Sequence, residues 1–274
     1  TFVLHPEAIA IKETQRAIAE LGKLDIHAHR LIINGIIPSE EKANALFAAR
    51  AEMQSRYLRQ IEAQFPLPTR RMPLLDGEIK GVARLRQVAQ MLLDAKDGQV
   101  SFASPGRGGI SASTPTLGQS VVGPALLSSP LAAVLPHILP NSHSRTLFFA
   151  GKGGVGKTVA SCVTAVWLAQ RGYRTLLVTT DPAAHLGDVL GVPVGDEIMP
   201  VTGIANLWAA KIDPKAAAET YKARILDDAR QRGRPPEAIQ VMAEELDSPC
   251  TEEMAAFDRF IDLASHEDNW QVIV

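Results

Sequence analysis

An α/β fold with a mostly parallel sheet flanked by helices is the class this sequence predicts, on three observations. Short β-branched apolar runs alternate with helix-length segments, the pattern of parallel strands joined by crossover helices. A glycine-rich turn, Gly151-Lys152-Gly153-Gly154-Val155-Gly156-Lys157-Thr158, lies between one such run and the helix after it. The 274 residues are 46% hydrophobic, enough to supply a core for one large domain or two small ones. With 28 Lys plus Arg against 30 Asp plus Glu the net charge is -2, which excludes a global basic field and with it nucleic acid as a partner.

Residues 1–96 are expected to run strand, helix, strand, helix, strand, helix. Phe2-Val3-Leu4 reads as the second half of a strand, and Pro6 to Leu21 as a helix with Gly22 at its stop. His29 to Asn34 is the next strand. Ser39 would cap a long helix to Phe65, with Glu40 and Glu41 in the first turn where the helix dipole favours acids. Arg71 to Leu75 is a short strand, and Glu78 to Leu93 a helix with Val82, Leu85, Val88, Ala89 and Leu92 on one face.

Residues 97–144 change composition to Gly, Ser and Pro with one acid, Asp97, and one Arg, Arg107, and are expected to be an interdomain linker. Its apolar piece Leu126 to Leu139 is interrupted by Pro130 and Pro136, which keep any helix short. Residues 145–274 open a new α/β unit. Thr146 to Ala150 is a strand, and Thr158 to Arg171 a helix with Val159, Cys162, Val163, Val166 and Trp167 on one face. Arg174 to Thr180 is the next strand, Asp213-Pro214 opens a helix, and Pro249 to Leu263 is another. Trp270 to Val274 is a β-branched run without its following turn, so both chain ends look cut.

Cys162 and Cys250 cannot form a disulfide framework and suggest a reducing compartment, the cell interior. There is no signal-peptide pattern at the start and no apolar run of about 18 residues.

The glycine-rich turn satisfies GxxxxGK[ST] in the required strand-loop-helix context. Glycines Gly151, Gly153, Gly154 and Gly156 let the backbone approach phosphate oxygens, and successive N–H groups around Val155 can point into them. Lys157 would bridge the β- and γ-phosphates of ATP, and the Thr158 hydroxyl would hold Mg²⁺. Lys152 is a second lysine that this pattern does not require. Asp181-Pro182 follows the next strand at its carboxyl end; it can be a common turn, or Asp181 can orient attacking water. In Ser248-Pro249-Cys250, Ser248 is a plausible N-cap, which puts Cys250 at a helix N-terminus where a thiolate is favoured, against the opposing Glu252 and Glu253. Such a soft ligand suits As(III) or Sb(III).

GKGGVGKT resembles the deviant Walker A loop of the P-loop NTPase family that includes septum-site-determining, nitrogenase iron-protein, tail-anchored-protein-targeting and arsenical-pump ATPases. The resemblance implies that Lys152 acts across a dimer interface. Asp181-Pro182-Ala183-Ala184-His185-Leu186 resembles the switch I motif, which implies that Asp181 positions the water. SPCTEEMAAF resembles the metalloid-cysteine segment of the arsenical pump-driving ATPases, and no CxxC zinc clasp of the targeting enzymes is present. Phe2 to Leu4, Leu31 to Pro38, Arg50 with Gln54, and Pro73 to Leu75 with Glu78 and Gly81 resemble the carboxyl half of such an ATPase domain, and Thr146 onward the amino half of the next.

On that tandem plan residues 1–96 are the adenine-side half of a first domain, 97–144 the linker, and 145–274 the phosphate-loop half of a second. The resemblance implies an adenine contact at Asn34, with Pro73 a weaker candidate, in a different site from residues 151–158. It further implies an ATPase stimulated by arsenite or antimonite, ATP with Mg²⁺, a pseudo-dimer of tandem domains, a membrane efflux permease, and a metallochaperone delivering As(III). The location would be cytoplasmic, at the inner face of the plasma membrane. The switch II motif DTAPTGH, the first domain's phosphate loop and further metalloid cysteines are missing, so the slice alone is expected to be incompetent. The alternative within the family is a targeting factor for tail-anchored membrane proteins.

Overall fold

The computed structural model describes residues 1–43, 45–94, 137–140, 144–181, 185–265 and 269–274. Most of segment 97–144 lies outside them, as do residues 182–184 of the switch I stretch, His143 and His266. Two compact units cut across the sequence zones. The first comprises the described parts of Thr1–Glu78, Gln87–Leu139 and Phe149–Lys157; the second those of Ile79–Arg86, Pro140–Phe148 and Thr158–Val274.

In the first unit β1 (Phe2–Leu4), β2 (Leu31–Ile36) and β3 (Thr69–Pro73) form a parallel sheet in that order, with Phe2 beside Leu31 and Leu31 beside Thr69. Helices α1 (Ala8–Gly22) and α2 (Ala45–Gln64) bring Ile11 and Ile61 into a core with Phe2, Leu4, Leu31, Ile33 and Phe65. The alternate residues Val3 and Ile32 are buried as well, which is why these strands read as continuous apolar runs. The first helix begins at Ala8, and the left-handed residue after it is Asp25 rather than Gly22. The second predicted helix is broken near its start: Glu40 and Glu41 belong to a 3₁₀ turn, and α2 begins at Ala45. The third starts late, at Val82, because Gly81 has φ +79°; α3 (Val82–Ala89) then widens into a π turn over Gln90–Asp94. Leu85, Val88, Ala89 and Leu92 of the predicted face are buried.

A register shift interrupts the β2–β3 pairing between Ile33 and Ile36, and Gly35 sits in it with φ +74°. Buried Gln54 of α2 spans this bulge: its Nε2 donates to Gly35 O at 2.8 Å, and its Oε1 accepts from Ile37 N–H at 3.0 Å. The carboxyl end of β2 is thereby held in an irregular shape.

In the second unit β4 (Arg145–Thr146), β5 (Thr175–Thr179), β6 (Met199–Pro200), β7 (Leu207–Lys211) and β8 (Val272–Ile273) form a sheet ordered β4-β8-β5-β7-β6. All pairs are parallel except β6 with β7. The predicted strand from Thr146 to Ala150 is regular only over Arg145–Thr146. Helix α4 (Lys157–Gln170) differs from its predicted one-sided face: Ala160 and every residue from Cys162 through Ala169 are buried. Its sequence is small and apolar all round, as a helix enclosed by neighbours requires.

Beyond α4 come α5 (Leu186–Leu190), α6 (Pro214–Gln231), α7 (Pro236–Glu245) and α8 (Pro249–Ser265). Ala256 and Leu263 of α8 share a core with Leu176, Ala210, Ile212, Trp270 and Ile273. Asp213 caps α6, its Oδ1 accepting from the Lys215 N–H at 2.9 Å and the Ala216 N–H at 3.4 Å. Asp213→Ala is therefore expected to cost about 1 kcal/mol in urea denaturation, through loss of these two bonds. Among the described residues no helix is long and apolar enough to cross a membrane.

Candidate functional site

The glycine-rich loop, through Lys157, belongs to the first unit, and its sheet shapes it. Ala150 bridges Phe2 in parallel: Ala150 N–H donates to Thr1 O at 2.9 Å, and Val3 N–H to Ala150 O at 2.8 Å. This pairing presses the next residue against β1. Gly151 has φ +151°, and a Cβ on it would lie 2.1 Å from Val3 O, so no other residue fits. Val155 is buried at 2% exposure, while Lys152, Gly153 and Gly154 face solvent. Lys157 Nζ lies 3.3 Å from Lys152 O, so this lysine folds over its own loop while its side chain stays near solvent. Lys157 is also the first residue of α4, which places the loop at a helix N-terminus, the end that attracts anions.

Asn34 joins the loop. Its Nδ2 donates to Val155 O at 3.0 Å, and it lies 2.5 Å from where a Cβ on Gly156 would stand. The resemblance implies different nucleotide sites for Asn34 and residues 151–158 of a tandem protein; here Asn34 touches Val155 and Gly156, which lie with it in the first unit. His5, which has no ligand spacing in the sequence, lies one residue beyond β1, and its Nδ1 is 2.9 Å from Asn34 O.

The other candidates lie in the second unit. Thr158 follows Lys157 in α4. Asp181 is exposed just past the carboxyl end of β5, where a parallel sheet places its chemistry, and its N–H donates to Thr179 Oγ1 at 3.2 Å. His185 precedes α5 and lines a cavity of about 460 Å³ with Lys80, Asp188 and Lys211. Cys250 is exposed in the first turn of α8, whose Thr251 N–H donates to Ser248 Oγ at 3.3 Å, the cap expected from the sequence. Cys162 is fully buried, and burial pushes its thiol well above the ordinary range, so it stays protonated and inert. Among the described residues no three His, Cys, Asp or Glu side chains converge on a metal-sized site. Pro73 ends β3 and is buried.

A provisionally named arsenical pump-driving ATPase of Halobacterium salinarum is 35% identical over 284 aligned residues, covering 100% of this chain and 42% of that protein. The arsenical pump-driving ATPase of Acidiphilium multivorum is 49% identical over 117 residues, 43% of this chain and 20% of that protein. ATPase GET3 of Malassezia globosa is 39% identical over 99 residues, 36% of this chain and 29% of that protein. The chain spans less than half the length of each of these relatives. The family model described as anion-transporting ATPase matches residues 1–94 and 144–274, both sides of the linker and most of the sequence. A match of that extent places the chain in the anion-transporting ATPase family.

Proposed function

We propose that the chain is part of an ATP-hydrolysing motor for arsenite or antimonite efflux, stimulated by the metalloid. The observation that carries this reading is the loop at residues 151–157, whose Gly151 fits against Val3 of β1 and Gly156 against Asn34 of β2, and whose lysine stands at a helix N-terminus. Lys157 holds the β- and γ-phosphates. The Thr158 hydroxyl is the oxygen donor that would hold Mg²⁺, which would supply charge neutralisation to the phosphates when bound. Asp181 orients the attacking water, and Lys152 reaches toward the opposing nucleotide of a tandem pseudo-dimer, adding positive charge where the transition state develops negative charge.

The exposed Cys250 thiol supplies one soft donor to As(III) or Sb(III). Metalloid binding draws tandem halves together by favouring the closed arrangement. The partners are a membrane permease, met at the cytoplasmic face, and a metallochaperone. ATP turnover of the full-length protein should rise several-fold with antimonite, and Cys250→Ser should remove most of that rise while leaving basal turnover intact. Unchanged stimulation would overturn the metalloid role.

A second reading keeps the ATPase cycle but couples it to escorting a hydrophobic helix, as in tail-anchored-protein targeting. The exposed stripe Met254, Phe257 and Ile261 on α8 and the local likeness to the fungal ATPase favour it. Binding of a transmembrane peptide, set against antimonite stimulation, separates the two readings.

A further inference from the structure

We propose that Asn34 is a positioning residue for the phosphate loop, itself set by His5, so that the carboxyl ends of β1 and β2 fix the geometry in which the loop meets a polyphosphate. The proposal rests on the nucleotide reading above. It assigns Asn34 a task different from contact with the base.

The geometry follows a chain of contacts within the first unit. His5 Nδ1 lies 2.9 Å from the Asn34 carbonyl oxygen. A carbonyl has no proton to give, so His5 carries hydrogen on Nδ1 and donates. A Cβ on Gly35 would lie 2.9 Å from that same nitrogen, so the bulge and the imidazole are fitted to one another. Gln54 holds the bulge from its other side through Gly35 O and Ile37 N–H. Braced in this way, the Asn34 side chain reaches Val155 O at 3.0 Å, across 121 residues of sequence.

That one bond has a directional consequence. In a trans peptide the C=O and the following N–H point opposite ways. Fixing Val155 O on Asn34 therefore turns the Gly156 N–H away from Asn34. It also keeps a carbonyl, which would repel an anion, out of the ring of N–H groups that cradle phosphate. Gly156 has φ +94°, and a Cβ there would lie 2.5 Å from Asn34 Nδ2, so only glycine leaves room for the carboxamide; flipping the plane would break its bond to Val155 O. Asn34 thus sets the loop's polarity before any nucleotide arrives.

Calorimetric titration of the full chain with Mg-ATP and with Mg-tripolyphosphate, which has no base, tests this. Asn34→Ala should weaken both ligands by the same factor, about 5- to 10-fold, the worth of one net hydrogen bond. His5→Ala should weaken both in the same proportion but less, and His5→Asn, which keeps a short donor, should recover most of the loss. The double variant should bind no more weakly than Asn34→Ala alone, because His5 acts only through Asn34. Thermal unfolding checks that the variants fold; should Asn34→Ala not fold, Asn34→Asp keeps the shape, and its carboxylate should weaken tripolyphosphate more strongly still. Loss of ATP affinity with tripolyphosphate unaffected would make Asn34 a base contact and overturn the proposal, as would unchanged binding of both or additive losses in the double variant. If Lys157→Ala leaves tripolyphosphate binding intact, the nucleotide reading itself fails, whatever the Asn34 variants do.

Discussion

Gly151→Ala is expected to destabilise the protein by about 3 kcal/mol or more, the cost of one strained backbone position with a backbone clash added. The added Cβ meets Val3 O at 2.1 Å and Val155 Cγ2 at 3.1 Å. Val3 cannot retreat, because its own N–H donates to Ala150 O at 2.8 Å and its strand is paired with β2. Relief must come from pulling the loop off the sheet, which also moves Val155 away from Asn34. Urea denaturation measures the loss, and nucleotide titration should show affinity falling with it. Gly153→Ala serves as the control, since its Cβ meets nothing within 4 Å and its φ needs no glycine; it should stay within about 0.5 kcal/mol of wild type. Equal stability of the two variants would mean that the loop does not pack on β1 as described.

Lys157→Ala should leave the fold intact and remove nucleotide binding. The side chain makes one long contact, 3.3 Å to Lys152 O, and is partly open to solvent, so its loss costs little stability. Under the proposed function it is the cation that would bridge two phosphates at a helix N-terminus, where charge-assisted bonds are strong. Removing about 3 kcal/mol of such interaction weakens Mg-ATP about 100-fold, at 1.4 kcal/mol per factor of ten. The readout is the ATP dissociation constant with unchanged circular dichroism. A dissociation constant within threefold of wild type would rule out the loop as the phosphate site.

The fold class and the loop were legible because both are local patterns. The GKGGVGKT run needs only its neighbours to be recognised, and β1, β2 and β5 carry apolar runs that a doubly covered strand demands. The Ser248 cap and the buried Cys162 were equally local inferences and held. Boundaries failed where a single backbone angle decided them, as at Gly81, whose left-handed turn delays α3, and at residues 147–150, where regular pairing stops. The one-sided face assigned to α4 was misread because Ala160, Thr164 and Ala165 are small enough to be buried without announcing it. Least visible was the contact of Asn34 with Val155. Repeat logic assigned them to different sites, and nothing in either sequence neighbourhood specifies a partner 121 residues away. His5 was passed over for the same reason: its meaning comes from strand register, which puts the residue after Leu4 beside the one after Ile33.

That separation also gives the site a history during synthesis. A ribosome adding 5–20 residues per second makes Asn34 on the order of ten seconds before Val155, the 121th residue after it. In that interval β1, β2 and α1 are all available to find one another, since their pairing requires nothing downstream. The loop is made later and docks on a surface already formed. The backbone at Gly151 and Gly156 is thus shaped against residues made well before it rather than nucleated alone.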